Sequence, residues 1–184
     1  LKNPIINKYK SWIAGIRAYK PYQLTDEVEK ILHEKSVTGR ASWSRLFDET
    51  MAGMRFDVDG RKISNSDVMN RMSDKDHLVR KKAAKSFGAE LEQNIKLFSL
   101  ITNTLAKDKE IEDKWRNFPR AVSSRNLSNQ VEDEVVDALS GAVKNSYADL
   151  AHRYYKLKAS WLGVEVMDYW DRNAPLPESN EVYI

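Results

Sequence analysis

The pair His33-Glu34 in "ILHEKSV" (residues 31–37) is the first half of a hydrolase motif, H-E-x-x-H. In that motif two histidines one helical turn apart hold Zn²⁺ while the glutamate activates water. Position 37 is Val37, so the second ligand is missing. The chain has 3 histidines, His33, His77 and His152, and no two lie near enough in sequence to share a helical face. With 0 cysteines, thiolate metal sites, disulfides and a cysteine nucleophile are excluded as well. His33 is expected to be a surface histidine beside the inward-facing Ile31 and Leu32.

Other chemistry-bearing residues are equally sparse. His152, Arg153, Tyr154 and Tyr155 in "AHRYYKLK" supply imidazole, guanidinium and phenol groups beside an aromatic stripe. Such donors suit a polar cleft for a peptide, although no spacing rule makes them catalytic and helix packing is the simpler expectation. "SSRNLSN" (residues 123–129) reads as a polar loop presenting Arg125 and Asn126. Glu132-Asp133-Glu134 stand at a predicted helix start, where they offset the positive dipole end rather than form an acid/base pair. Neither G-x-x-x-x-G-K-[ST] nor G-x-G-x-x-G is present, and no catalytic or metal-binding residue can be assigned.

The elements that would position these groups are mostly amphipathic helices. Ile5, Tyr9, Trp12, Ile16 and Tyr19 recur every three to four residues until Pro21. Thr25 is a predicted N-cap, followed by Asp26 and Glu27 and by inward-facing Val28, Ile31 and Leu32. After Gly39 a third run carries Trp43, Leu46, Phe47, Thr50 and Met54. Residues 54–63, "MRFDVDGRKI", alternate apolar and polar around Asp59-Gly60 and predict one small β-hairpin with a type I′ turn. Ser64 to Asp67 and Ser73 to Asp76 read as capping boxes with aspartate in place of glutamate. The second opens a long predicted helix with Leu91, Ile95, Phe98, Ile101 and Leu105 as its core stripe, extending to Ile111 and Trp115 before Pro119. Val131, Val135, Leu139 and Ala142 mark another helix. Leu150, Tyr154, Leu157 and Trp161 mark the last, capped at Gly163. Trp12, Trp43 and Trp161 are expected in the core. The fold class is all-α with one hairpin: helical from 1 to 173, then a proline-containing connector over 174–184.

Composition agrees. The chain has 184 residues, 41% hydrophobic and 31% charged, which suits a folded helical domain. It begins at Leu1, as a piece of a longer protein would. It shows no signal-like leader and no long apolar run, which together with the lack of cysteine suits the cytoplasm and predicts no membrane contact. Residues 1–90 carry 18 basic and 12 acidic side chains, whereas residues 91–184 carry 12 and 15. The densest basic group, Arg80, Lys81, Lys82 and Lys85, follows Asp74 and Asp76 and is expected to be a solvated helix face. Charges so interspersed, without a recognition motif, predict no nucleic-acid partner.

Four stretches taken in order carry a resemblance: "PYQLTDEVEKILHEKSVTGRASWSRLFDET", "FDVDGRKIS", "NTLAKDKEIEDKWRNFPRAVSSRNLSNQVEDEVVDAL" and "HRYYKLKASWLGVEVMDYWDRNAPLP". From about Tyr9 to Pro177 the chain resembles the N-terminal helical region of the oligoendopeptidase F branch of the thimet-oligopeptidase-like zinc metallopeptidases. The resemblance implies a helical, clam-like body around a channel for short peptide substrates. It also implies a zinc-binding H-E-x-G-H helix and a later glutamate in a separate catalytic part, C-terminal to the matched region. None of those residues is in this chain, and His33-Glu34 does not align with them. The implied role is a non-catalytic wall of the substrate channel, with zinc bound by the full-length enzyme and not by this chain. Arg125, Asn126, His152, Arg153, Tyr154 and Tyr155 are its candidate channel residues. The alternative is a stand-alone helical module that binds peptides or proteins without hydrolysing them.

Overall fold

The computed structural model describes residues 7–176. Ile5 of the first predicted stripe, and the connector from Pro177 onward, lie outside the described residues. The helices are α1 (Lys10–Ala18), α2 (Asp26–Ser36), α3 (Arg40–Gly53), α4 (Asn65–Arg71), α5 (His77–Gln93), α6 (Ile95–Trp115), α7 (Ser123–Ser128), α8 (Asp133–Asn145) and α9 (Arg153–Trp161). Two strands, β1 (Phe56–Val58) and β2 (Arg61–Ile63), form the hairpin, and a π-helical turn, Tyr147–His152, leads into α9. The all-α class with one small hairpin stands. The chain divides into two compact units: Leu1–Ser44 with Ile101–Val143, and Arg45–Leu100 with Lys144–Ile184.

In the first unit the local signals work as the sequence predicts. Thr25 caps α2, its hydroxyl accepting the Val28 amide at 3.5 Å. At the end of α6, Asn117 takes a left-handed φ of 59°. The Phe118 amide then donates to the Asp113 carbonyl at 2.9 Å and the Asn117 amide to Lys114 at 3.2 Å, a Schellman closure. This turn brings Phe118 against Tyr22, with ring centroids 4.1 Å apart and planes 11° from parallel. Residues 123–128 correct the expectation of a loop: they form α7. Ser123 and Asn126 are held by hydrogen bonds to Asp133, and Ser124 accepts one from Lys109.

The second unit holds the clearest hydrophobic core, built by Met54, Phe56, Val58, Val68 and Ala83. The hairpin alternates as expected, with Phe56 and Val58 buried and Asp57 exposed, and Phe56 faces Ile63 across the ladder. Asp59 and Gly60 have φ of 56° and 75°, the positive pair that a type I′ turn requires. Ser64 and Asp67 form the reciprocal capping box of α4. Upstream of α5 the expected box is replaced by a single cap: Asp76, not Ser73, accepts the Leu78 amide, at 2.7 Å. The one long helix predicted to open at the Ser73–Asp76 cap and extend to Trp115 is two helices, parted at Asn94. The Asn94 amide side chain bonds the Glu90 carbonyl at 3.0 Å, the local competition with helix geometry that asparagine favours. Gly163, at φ 69°, ends α9 as expected.

Several predicted core faces are exposed. Trp12 is 66% accessible, Leu139 64% and Leu150 68%, and Ile31, Ile95, Trp115 and Trp161 are open as well. Only Leu32 of the expected α2 face next to His33 is half-buried. Trp43 is half-buried, and the one buried tryptophan among the described residues is Trp170. Helical period shows that a helix has an apolar side; it does not say that a partner for that side is among these residues.

Candidate functional site

In the first unit, α2, α6 and α7 surround a cavity of about 590 Å³. Its centre is Arg116, one residue past α6. Arg116 grips Glu29 of α2 with both fork nitrogens, Nη1 to Oε1 at 2.6 Å and Nη2 to Oε2 at 2.9 Å. Its Nε donates to Glu112 at 2.9 Å, and Nη1 also reaches the Tyr22 carbonyl at 3.2 Å. The Glu29 carboxylate additionally accepts the Leu24 amide at 3.1 Å. The Arg116 hydrogen bonds, aided by that amide, hold the Glu29 carboxyl down at about 2, and Arg116 is raised above its ordinary range by the same bonds. A carboxylate held so low is a poor proton acceptor at neutral pH, so Glu29 organises the cavity rather than serving as a general base.

The opposite side is built by α6 and α7. Lys109 pairs with Asp113 and donates to the Ser124 hydroxyl at 2.8 Å. Behind it Asp133 accepts from Ser123 at 2.5 Å and from Asn126 at 2.8 Å. Those hydrogen bonds, Ser123 first, depress the Asp133 carboxyl. Arg120 holds Asp137 bidentately, at 2.7 and 2.8 Å. Arg40, the first residue of α3, and Arg125 of α7 also line the cavity, beside Tyr19, Tyr22 and Phe118.

The second unit contains the other charged centre. Arg80 and Asp171 are 2% and 1% exposed, and their side chains meet at 2.7 Å. Arg80 also donates to the carbonyls of Asp74 and Lys75, each at 2.9 Å, while His77 Nδ1 lies 3.0 Å from the same Asp171 oxygen. Burial pushes the Asp171 carboxyl up, but the hydrogen bonds from Arg80 and His77 outweigh it and leave the group below its ordinary value. Lys158 is buried too and donates to the Arg172 carbonyl at 2.8 Å. Desolvation, then repulsion from Arg80, lowers its pKa. Lys81 and Lys85 lie 5.3 and 5.7 Å from the centre of the Trp170 ring. The basic run 80–85 is therefore not a uniformly solvated face: Arg80 is interior.

Of the predicted channel residues, Arg125 faces the first unit's cavity, whereas Asn126 is buried and committed to Asp133. His152, Arg153, Tyr154 and Tyr155 are exposed on the π turn and α9 of the second unit. There His152 lies 6.3 Å from the Tyr147 ring, and Tyr154 and Tyr155 meet edge to face at 5.5 Å. His33 is exposed. Among the described residues no group of three His, Asp or Glu side chains could hold a metal ion. Sequence reasoning missed Glu29, Arg40 and Arg116 as cavity residues. Arg116 and Glu29 are 87 positions apart, and no local pattern connects them.

The family model described as Oligopeptidase F matches residues 1–56. Over 184 residues the chain is 25% identical to the Group B oligopeptidase PepB of Streptococcus agalactiae serotype III (strain NEM316), covering 97% of this chain and 30% of that protein. The chain resembles the N-terminal helical region of oligoendopeptidase F. The crystal structure of oligoendopeptidase-F from Enterococcus faecium superposes with a TM-score of 0.78 at 24% identity, over 95% of this chain and 35% of that one. A crystal structure from Chlamydophila abortus gives a TM-score of 0.81 at 17% identity, over 96% of this chain and 31% of its own. The chain thus spans about a third of the length of the oligopeptidase and of the structures it matches. No helix among the described residues is long and apolar enough to cross a membrane.

Proposed function

We propose that this chain is the non-catalytic N-terminal part of an oligoendopeptidase F-like zinc peptidase and forms a wall of the channel that admits short peptides. The observation that carries the reading is the extent of the likeness: 95% of this chain matches 35% of a peptidase chain with the fold preserved. Its exposed apolar faces support it. Tyr147, Leu150, Tyr154, Leu157 and Trp161 recur at helical spacing and are all accessible, as expected of a surface that meets the catalytic part of such an enzyme. In the whole enzyme zinc would be held by that catalytic part and would activate the attacking water. The residues described here shape the channel and thereby set the size of peptide that enters.

The test is a cleavage assay on the pure 184-residue chain with added zinc and an internally quenched peptide. No hydrolysis and no tight zinc binding are expected. Zinc-dependent turnover by the pure chain would overturn the reading.

A further inference from the structure

Four cations and three carboxylates line the cavity of the first unit, and they are not used equally. Glu29 and Glu112 are bonded to Arg116, and Asp113 is bonded to Lys109. Among the described residues, Arg40 and Arg125 form no ion pair and no side-chain hydrogen bond, yet both line the same cavity. The lining therefore keeps two uncommitted guanidinium groups beside Tyr19 and the Tyr22–Phe118 stack. A guanidinium fork matches a planar carboxylate with two parallel hydrogen bonds. The three carboxylates already present oppose a doubly charged phosphate more than a singly charged carboxylate, and the aromatic rings offer apolar surface to a residue carrying it.

We infer that this cavity is a recognition site for a peptide carboxylate, engaged by Arg40 and Arg125. The inference rests on the proposed peptide-channel role and adds to it a charge preference: peptides with an acidic group at the matching position are favoured over neutral ones. The carboxylate can come from a free C-terminus or from a Glu or Asp side chain, and the same guanidinium chemistry serves both.

The experiment is a calorimetric titration of the 184-residue chain with three versions of one short peptide lacking other acidic residues. One version has a free C-terminus, one is C-terminally amidated, and one is amidated but carries a single internal Glu. At least one carboxylate-bearing version is expected to bind about fivefold or more tightly than the neutral amide, with the advantage falling as salt rises. Which of the two binds identifies the source of the carboxylate. Arg40→Gln and Arg125→Gln should each remove most of the advantage, and the Lys variants at the same positions should keep part of it. Equal binding of all three peptides, or an advantage untouched by both Gln variants, would overturn the carboxylate site while leaving the channel-wall reading intact. Binding of no peptide at all would overturn the carboxylate site; the channel-wall reading is decided by the cleavage assay. Inorganic phosphate that binds as tightly as the acidic peptide would overturn the choice of a carboxylate.

Discussion

Each unit holds an arginine–carboxylate pair formed across a long stretch of chain, Arg116–Glu29 in the first and Arg80–Asp171 in the second, and these two pairs differ in kind. Arg80 and Asp171 are 2% and 1% exposed, so neither ion can fall back on water. Arg116 and Glu29 are 19% and 35% exposed and stand at the edge of a cavity. A buried pair is a structural commitment, because removing one ion strands the other. A half-exposed pair tolerates loss better, and its surroundings remain open to a ligand. The contrast leaves the first unit with an open charged cavity and the second with a buried ion pair.

Asp171→Ala is the severest way to test this contrast. It leaves Arg80 interior without its counter-charge, and urea unfolding should show a loss of about 3–5 kcal/mol. The double replacement Arg80→Met with Asp171→Leu should recover most of that loss. If Asp171→Ala were as mild as a surface change, the buried pair would not anchor this unit.

The half-exposed pair should instead announce itself through acid. The folded carboxyl of Glu29 is held at about 2, below its ordinary 4.5. Its contribution is therefore fully present above pH 4.5 and is lost as pH falls toward 2. Solvent screening limits it to about 1.5 kcal/mol. Unfolding free energies of the parent and Glu29→Gln should differ by that amount at neutral pH and converge near pH 2. A constant difference across the window would contradict the pairing.

Smaller effects separate the two helix caps. Ser64 and Asp67 cap reciprocally, whereas Thr25 makes one long contact of 3.5 Å. Ser64→Ala should cost about 1 kcal/mol and Thr25→Ala about half of that in thermal unfolding. Last, Arg40→Gln and Arg125→Gln should leave stability within about 0.5 kcal/mol of the parent, since neither side chain supports the fold. A larger loss at either would mean that these guanidiniums are structural after all.

Much of the local architecture was legible in the sequence because its causes are local. Asp59-Gly60 can supply the two positive φ angles of a I′ turn, and the residues on either side alternate, so the hairpin followed. The failures share a cause as well. Asn94 looked like an ordinary position in a long stripe, and its bond to Glu90 together with its departure from helical backbone angles marks the break between two helices. Ser123 and Asn126 looked like loop residues until Asp133, seven to ten positions away, satisfied them. Of the six candidate channel residues, Arg125 alone reaches the charged cavity, because composition shows which groups can bind but not which of them converge.

By itself the sequence determined where helices begin and end, at Thr25, Ser64 and Gly163, because caps and turns are settled by residues within a few positions of one another. The tertiary structure decided which apolar faces are buried and which arginines are interior. Arg116 meets Glu29 across 87 positions and Arg80 meets Asp171 across 91, and such meetings depend on the path of the whole chain. The same reason left Trp12, Leu139 and Leu150 open: period 3.6 makes a face apolar, and only the arrangement of the other elements decides whether anything covers it.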